Sequence, residues 1–161
     1  MPTDLQNTFI ELPINQIHIW QCSLLGKKLQ PELCSFVSSA EKKKAEQFYN
    51  KEDTENYMYS RGILRLLLGR YTGMAPQEIT IANDENKKPY MANHSIQFNL
   101  SHSYNWLLIA VAHDVLGIDI EKKNSHRKIQ SIAKRFFSGP EQEEFNQASE
   151  DQKIEIFYKI F

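Results

Sequence analysis

The sequence is poor in cysteine and contains no long apolar run. Its two cysteines, Cys22 and Cys34, do not have the spacing of a metal-ligand motif. No apolar segment approaches the roughly 20 residues that a membrane-spanning helix needs, and the opening stretch, MPTDLQNTFIELP, has neither the basic nor the apolar region of a secretory signal. These absences predict a cytoplasmic protein without membrane contact, whose cysteines are reduced thiols.

Neither sign of charge dominates the chain. In 161 residues, 19 lysines and arginines stand against 20 aspartates and glutamates, which gives a formal net charge of -1. This balance argues against bulk electrostatic binding, so no nucleic-acid partner is expected and any anion site has to be local. With 41% apolar residues, the chain has the composition of an ordinary globular protein with a real core.

The apolar patterns predict an α+β fold in which helices pack on one side of sheets. IHIWQCSL (17–24) and WLLIAVA (106–112) have the residue content of strands. The second should form an antiparallel meander with Phe98–Leu100 and with LGIDIE (116–121), and a short strand around Ile79 and Ile81 should precede a polar turn. Helices are expected from Pro31, from Ser38 or Ser39 through Tyr49, over 51–72 with a stop at Gly73, and in three segments from Lys128 onward.

Two carboxylates flank one isoleucine where LGIDIE ends. Side chains alternate between the faces of a strand, so Asp119 and Glu121 would point the same way, with Ile118 and Ile120 toward the core. Hard carboxylate oxygens in that arrangement suit Mg²⁺, which fills its remaining positions with water and substrate phosphate. The alternative is a solvated strand face, because this tripeptide also occurs without function.

Other polar residues carry little information when each is taken alone. Ser101 and His102 precede the WLLIAVA segment, and a histidine beside a strand is more often a structural hydrogen-bonding group than a functional one. Lys44 belongs to a lysine-rich stretch that is typical of a solvated helix face. Lys88 stands in a Lys-Lys-Pro sequence that is typical of a turn.

The combination of these motifs is more specific than its parts. The chain shows a lysine-rich helix, then SRGILR, KKP, FNLSHS, GIDIE and AKRFFSGPE, in this order. The pattern resembles the 4′-phosphopantetheinyl transferases of the larger, surfactin-synthetase-activating type, from about Phe36 to Phe161. The resemblance implies two similar lobes related by a pseudo-two-fold axis. Residues 1–97 would form the N-terminal lobe, and residues 98–161 the start of an incomplete C-terminal lobe.

The resemblance also implies a function and its partners. Members of the family transfer the 4′-phosphopantetheine arm of coenzyme A to a serine of an apo acyl or peptidyl carrier protein, with Mg²⁺, and release adenosine 3′,5′-bisphosphate. Such carriers serve fatty acid, polyketide and nonribosomal peptide synthesis, which includes antibiotic biosynthesis. No motif in the chain identifies its carrier or its pathway.

Roles follow for the residues that match the family. Asp119 and Glu121 stand where the family binds Mg²⁺. Ser101 and His102 stand where it contacts the phosphates of coenzyme A, with His102 the favoured partner of the 3′-phosphate. Lys44 stands where a basic residue often holds that phosphate, and Lys88 where a lysine lies beside the adenine.

The chain departs from the family pattern at three positions. Lys87 replaces a glycine before Lys88. Glu41 stands where some members carry a second lysine, so either Lys42 or Lys43 substitutes for it or the phosphate pocket is weaker. Phe161 occupies the position of a tryptophan that precedes a Lys-Glu motif in the family. The glutamate of that motif is the third metal carboxylate of the family and the favoured base.

No catalytic residue is therefore assigned within the chain, and an incomplete C-terminus is expected. The alternative is a shortened, inactive remnant that at most binds coenzyme A or a partner protein. A third hypothesis is a Mg²⁺-dependent phosphohydrolase built on the same carboxylate pair.

Overall fold

The protein is described by a computed structural model that covers residues 8–26, 30–124 and 128–160. By their contacts the described residues form two compact units, the first ending at Ile120 and the second beginning at Glu121. The predicted α+β class is confirmed. Residues 1–7 of the opening stretch lie outside the described residues, and so does Phe161, which occupies the position of the family's tryptophan.

The first unit contains all of the strands that the structure describes, together with three helices. Its elements are β1 (His18–Ser23), α1 (Pro31–Phe36), α2 (Ser39–Ala45), α3 (Lys51–Thr72), β2 (Ile81–Asn83), β3 (Pro89–Met91), β4 (Gln97–Ser103) and β5 (Trp106–Ala112). Among the described residues, no helix is long and apolar enough to cross a membrane.

The larger sheet has the strand order β1-β5-β4, and both pairings are antiparallel. The strands predicted for WLLIAVA and for the segment containing Phe98 are confirmed as neighbours. The predicted third strand, LGIDIE, is wrong: residues 115–124 form no strand, because no described segment pairs with them. The free side of β5 is paired instead with β1, which the sequence also predicted as a strand.

Because β4 and β5 share a sheet with β1, the first unit runs past residue 97. The two predicted lobes, 1–97 and 98–161, stay a prediction about the complete family fold.

Helix α3 forms the centre of the first unit's core. Leu64 and Leu68 are fully buried, with Phe98 and Ile109 of the sheet in the same apolar cluster. The helix ends at the predicted stop, Gly73, which adopts a left-handed conformation with φ of 73°.

A hydrogen-bonded aromatic group fixes β1 on α3. The hydroxyl of Tyr71 accepts a hydrogen bond from Trp20 Nε1 at 2.9 Å and lies 2.8 Å from His18 Nδ1. Burial raises the pKa of Tyr71, against a smaller lowering by the Trp20 hydrogen bond. Tyr71 therefore anchors the edge strand through its neutral hydroxyl as well as through its buried ring.

Helix α2 is shorter than predicted. It ends at Ala45 rather than at Tyr49, and α3 begins at Lys51. Its beginning was predicted as one of two serines, and Ser38 is the N-cap. The Ser38 hydroxyl accepts the Glu41 backbone N–H at 3.3 Å, while the Glu41 carboxylate accepts the Ser38 N–H at 3.0 Å.

The second unit consists of α4 (Ile129–Phe136), α5 (Gly139–Gln147) and α6 (Glu150–Ile160). These are the three predicted C-terminal helices, and Pro140 lies in the first turn of α5 as expected. Three phenylalanines form their core: the rings of Phe137 and Phe157 stack at 5.5 Å, and Phe145 meets Phe137 edge-on at 5.9 Å. The unit has its own apolar centre, separate from that of the first.

Candidate functional site

A groove of about 470 Å³ in the first unit brings together two residues predicted from distant motifs. Lys44, in the last turn of α2, and His102, near the end of β4, both line it. Tyr57 and Arg61 of α3 line the same groove, and Asp53 contributes a carboxylate. The groove therefore combines cationic and aromatic side chains, which suits an anion with a flat ring attached.

The ring of Tyr57 organises the cations of the groove. Lys44 Nζ lies 5.6 Å from the ring centroid, and Arg61 Cζ lies 5.2 Å from it. Both distances are within the range in which an aromatic face attracts a cation. Helical spacing places Tyr57 and Arg61 on one face of α3, because residues four apart are neighbours on a helix.

A second hollow shares three lining residues with the groove and is called its extension. This smaller hollow of about 180 Å³ is also lined by Lys44, Tyr57 and Arg61, and it reaches Asn83 of β2 and Pro89 of β3. The hollow therefore reaches the β2–β3 hairpin, where Lys88 precedes Pro89.

The Lys88 side chain makes a hydrogen bond within the protein. Its Nζ donates a hydrogen bond to the carbonyl oxygen of Leu116 at 2.7 Å. The turn before it is held by Asp84, whose Oδ1 accepts the Lys88 N–H at 2.8 Å. Lys87 has a positive φ of 64°, which explains why glycine would suit this position. Lys88 thus ties the hairpin to the segment that leads to Asp119.

Ser101 and Asp119 form a direct pair. The Ser101 hydroxyl donates to Asp119 Oδ1 at 2.6 Å and accepts the backbone N–H of Ile120 at 3.2 Å. These two bonds hold the Asp119 segment against β4, although the segment is not a strand. Two sequence motifs, FNLSHS and GIDIE, are therefore in contact.

The predicted alternation of side chains survives without a strand. Ile118 and Ile120 are half-buried, whereas Asp119 and Glu121 are exposed. Asp119 belongs to the first unit and Glu121 begins the second. Within the described ranges, no three His, Cys, Asp or Glu side chains gather as a metal-binding cluster.

The chemistry of Asp119 fits a Mg²⁺ ligand. Its carboxylate is exposed and oriented through Oδ1 by Ser101, and among the described residues Oδ2 makes no hydrogen bond. An oriented carboxylate of this kind is the hard oxygen donor that Mg²⁺ prefers.

Glu41 has a structural role. Its side chain is 12% exposed, and its Oε2 accepts a hydrogen bond from Arg65 Nε at 2.8 Å. Arg65 is buried and also donates to the carbonyl oxygen of Ile79 at 2.7 Å. The carboxylate at position 41 therefore neutralises a buried guanidinium and caps α2 at the same time.

Arg61 is a cationic residue of the groove to which the sequence interpretation gave no role. It stands in the SRGILR motif, four residues after Tyr57 and four before the buried Arg65. That helical spacing was the available signal, because it places Arg61 beside two residues of the same face.

Comparison with known proteins identifies the family. A family model described as 4′-phosphopantetheinyl transferase, N-terminal, matches residues 26–114. A second, described as 4′-phosphopantetheinyl transferase superfamily, matches residues 115–161. Because the first match alone covers more than half of the chain, the chain belongs to the 4′-phosphopantetheinyl transferase superfamily.

Individual relatives agree with this assignment. The 4′-phosphopantetheinyl transferase HetI of Nostoc sp. is 34% identical over 169 residues, covering 98% of this chain and 71% of HetI. A 4′-phosphopantetheinyl transferase of Bacillus subtilis is 32% identical over 133 residues, which are 82% of this chain and 58% of that protein. Sfp of Bacillus subtilis (strain 168) is 29% identical over 138 residues, or 85% of this chain and 61% of Sfp. The chain thus spans between 58% and 71% of the length of these relatives.

Proposed function

We propose that the protein transfers the 4′-phosphopantetheine arm of coenzyme A to a serine of an apo acyl or peptidyl carrier protein in the cytoplasm, releasing adenosine 3′,5′-bisphosphate. The observation that carries the proposal is the groove shared by Lys44 and His102. These residues come from motifs 58 positions apart (102 − 44), and each was selected from the sequence as a ligand of the same phosphate.

The groove is suited to the remote end of coenzyme A. The ammonium group of Lys44 and the imidazole of His102 would hold the 3′-phosphate through charge-assisted hydrogen bonds. The smaller hollow, which reaches Pro89, would accept the adenine near Lys88. Binding at this end orients the pyrophosphate, where the bond to the arm is broken.

Asp119 and Glu121 would hold Mg²⁺ at the pyrophosphate. When bound, the ion neutralises the charge of the pyrophosphate that a serine hydroxyl has to approach. The Ser101 hydroxyl donates its one proton to the Asp119 carboxylate through the 2.6 Å bond, so we assign Ser101 a positioning role in place of the predicted hydrogen bond to phosphate. Lys88 supports the same segment through its bond to Leu116.

Transfer is tested by intact-mass measurement of carrier proteins. The protein is incubated with coenzyme A, Mg²⁺ and several apo carriers, and each carrier should gain the mass of one phosphopantetheine arm at its serine. Asp119→Ala should abolish the gain in mass. Asp114 is an exposed aspartate outside the groove, so Asp114→Ala is the matched control and should leave the gain unchanged. No gain on any carrier would contradict the proposed activity, and full activity of Asp119→Ala would contradict its metal role.

The positioning role of Ser101 has a separate readout. Ser101→Ala should weaken Mg²⁺ binding in the presence of coenzyme A by roughly tenfold to a hundredfold, the loss typical when a metal ligand loses its hydrogen-bonding partner. Titration calorimetry measures this. Ser101→Thr keeps the hydroxyl and should restore most of the affinity, whereas unchanged Mg²⁺ affinity in Ser101→Ala would refute the role.

The second candidate function is binding without transfer. It is favoured by the groove itself, because Lys44 and His102 line one hollow without any contribution from the proposed metal ligands Asp119 and Glu121. Coenzyme A binding by the 161-residue chain together with no mass gain on carriers would support it. Consumption of coenzyme A without any carrier would instead indicate a phosphohydrolase.

A further inference from the structure

Two cations of the groove share one aromatic ring, and the second of them is Arg61. Arg61 lines both the main groove and its extension, as Lys44 does, and the two cations contact the Tyr57 ring. Like charges brought to one ring repel each other, and an anion bound between them relieves that repulsion. The arrangement is therefore most favourable with an anionic group in the groove.

The lysines beside Lys44 do not take this place. The sequence left open whether Lys42 or Lys43 replaces a second phosphate-binding lysine or the pocket is weaker, and both lysines are exposed and line neither hollow. Successive residues of a helix point about 100° apart, so neighbours of Lys44 in α2 face away from the groove. The second cation comes from α3 instead of from α2.

An ion pair and an aromatic ring hold the guanidinium of Arg61 in place, and among the described residues none accepts a hydrogen bond from it. Its side chain is 16% exposed, and Arg61 Nε lies 3.9 Å from Glu41 Oε1, which is beyond hydrogen-bonding distance. The other oxygen of that carboxylate, Oε2, is bonded to Arg65. Glu41 and Tyr57 thus orient Arg61, while its N–H groups stay available to a ligand.

The charged side chains around the groove and its extension favour an anionic ligand. Arg61, Arg65 and Lys44 contribute three positive charges, and Glu41 and Asp53 two negative ones, which leaves one positive charge in excess. A phosphate monoester is close to a dianion at neutral pH. Its three oxygens match the planar fork of an arginine and the ammonium of a lysine better than a carboxylate does.

We propose that Arg61, oriented by Glu41 and Tyr57, binds the phosphate monoester of the ligand together with Lys44 and sets the preference for coenzyme A over 3′-dephospho-coenzyme A. The proposal rests on the proposed function, because that function supplies the ligand. It adds a specificity-determining residue in the role for which Lys42 or Lys43 was one alternative.

Calorimetric binding of both ligands tests it. The wild-type chain should prefer coenzyme A, and Arg61→Ala should weaken coenzyme A binding by roughly tenfold to a hundredfold, the effect of losing charge-assisted hydrogen bonds. Binding of 3′-dephospho-coenzyme A should change by less than about twofold, because that ligand lacks the group Arg61 contacts. Arg61→Lys keeps the charge and the fold and should recover part of the preference. Lys43→Ala is the matched control and should behave as the wild type.

The outcomes separate the two proposals. If Arg61→Ala and Arg61→Lys bind both ligands with the wild-type preference, the role of Arg61 is refuted while the proposed function stands. Equal weakening of both ligands also refutes it, because the residue would then support the groove rather than read the phosphate. A wild-type chain that binds neither ligand contradicts the proposed function itself.

Discussion

Replacement of Glu41 is the perturbation whose effect the structure determines most closely. The Glu41 carboxylate is nearly buried and accepts hydrogen bonds from Arg65 Nε at 2.8 Å, the Ser38 N–H at 3.0 Å and the Ser38 hydroxyl at 2.9 Å. In Glu41→Ala the guanidinium of Arg65, whose side chain is 4% exposed, would stay buried without its counter-charge. Breaking a buried pair in this way typically costs about 3–5 kcal/mol.

The assay is urea unfolding followed by tryptophan fluorescence. Glu41→Ala should lower the free energy of unfolding by about 3–5 kcal/mol. Glu41→Gln, which keeps an acceptor but no charge, should lower it by about 1–3 kcal/mol. The exposed Glu85→Gln, in the β2–β3 turn, serves as control and should stay within about 0.5 kcal/mol. A loss below about 1 kcal/mol in Glu41→Ala would refute the view that this carboxylate neutralises Arg65.

Three further predictions concern the backbone and pH. Gly62→Ala would place a methyl group 2.7 Å from the carbonyl oxygen of Leu33, so thermal unfolding should show a loss of about 1–3 kcal/mol; an unchanged melting temperature would contradict this packing. Lys87→Gly should raise stability by up to about 1 kcal/mol in the same assay, since φ at position 87 is 64°, and a fall would refute the strain. Hydrogen bonds from the Ser138 backbone N–H, and secondly from its hydroxyl, lower the pKa of Glu141. The carboxylate therefore stabilises α5 fully at a pH above its unfolded-state pKa. This stabilisation is lost as the pH falls through the lowered folded-state pKa. Ser138→Ala should raise the Glu141 pKa in an NMR titration, and an unshifted titration would contradict the hydroxyl's part.

Local sequence patterns predicted most of the elements because their determinants are local. Gly73 ends α3 through a left-handed conformation that glycine adopts without strain, and Ser38 begins α2 through a capping box formed within four residues. The apolar content of WLLIAVA predicted β5 correctly. These features need no information from distant parts of the chain.

The LGIDIE segment shows where local patterns fail. Its alternation of apolar and polar residues is present in the structure as alternating burial, yet it is not a strand. A strand requires a partner, and both sides of β5 are already paired, one with β4 and the other with β1 from the beginning of the chain. Alternation predicts which side of a segment is buried, but pairing is a tertiary property.

The sequence selected individual candidate residues for the site but could not show how they are arranged. Motif resemblance selected Lys44, Ser101, His102 and Asp119, and it could not show that the Ser101 hydroxyl is bonded to Asp119. Arg61 stands in the SRGILR motif, but the resemblance gave this position no role. Its place depends on α2 packing against α3, which brings Glu41 beside it.

The most direct test of the central claim, that the groove between α2, α3 and β4 binds coenzyme A, is an NMR titration of the 161-residue chain with coenzyme A and Mg²⁺. The account predicts saturable shifts of the amide signals at Lys44, Tyr57, Arg61 and His102, with little change in α5, whose signals serve as the internal reference. No shifts, or shifts confined to surfaces away from these residues, would contradict it.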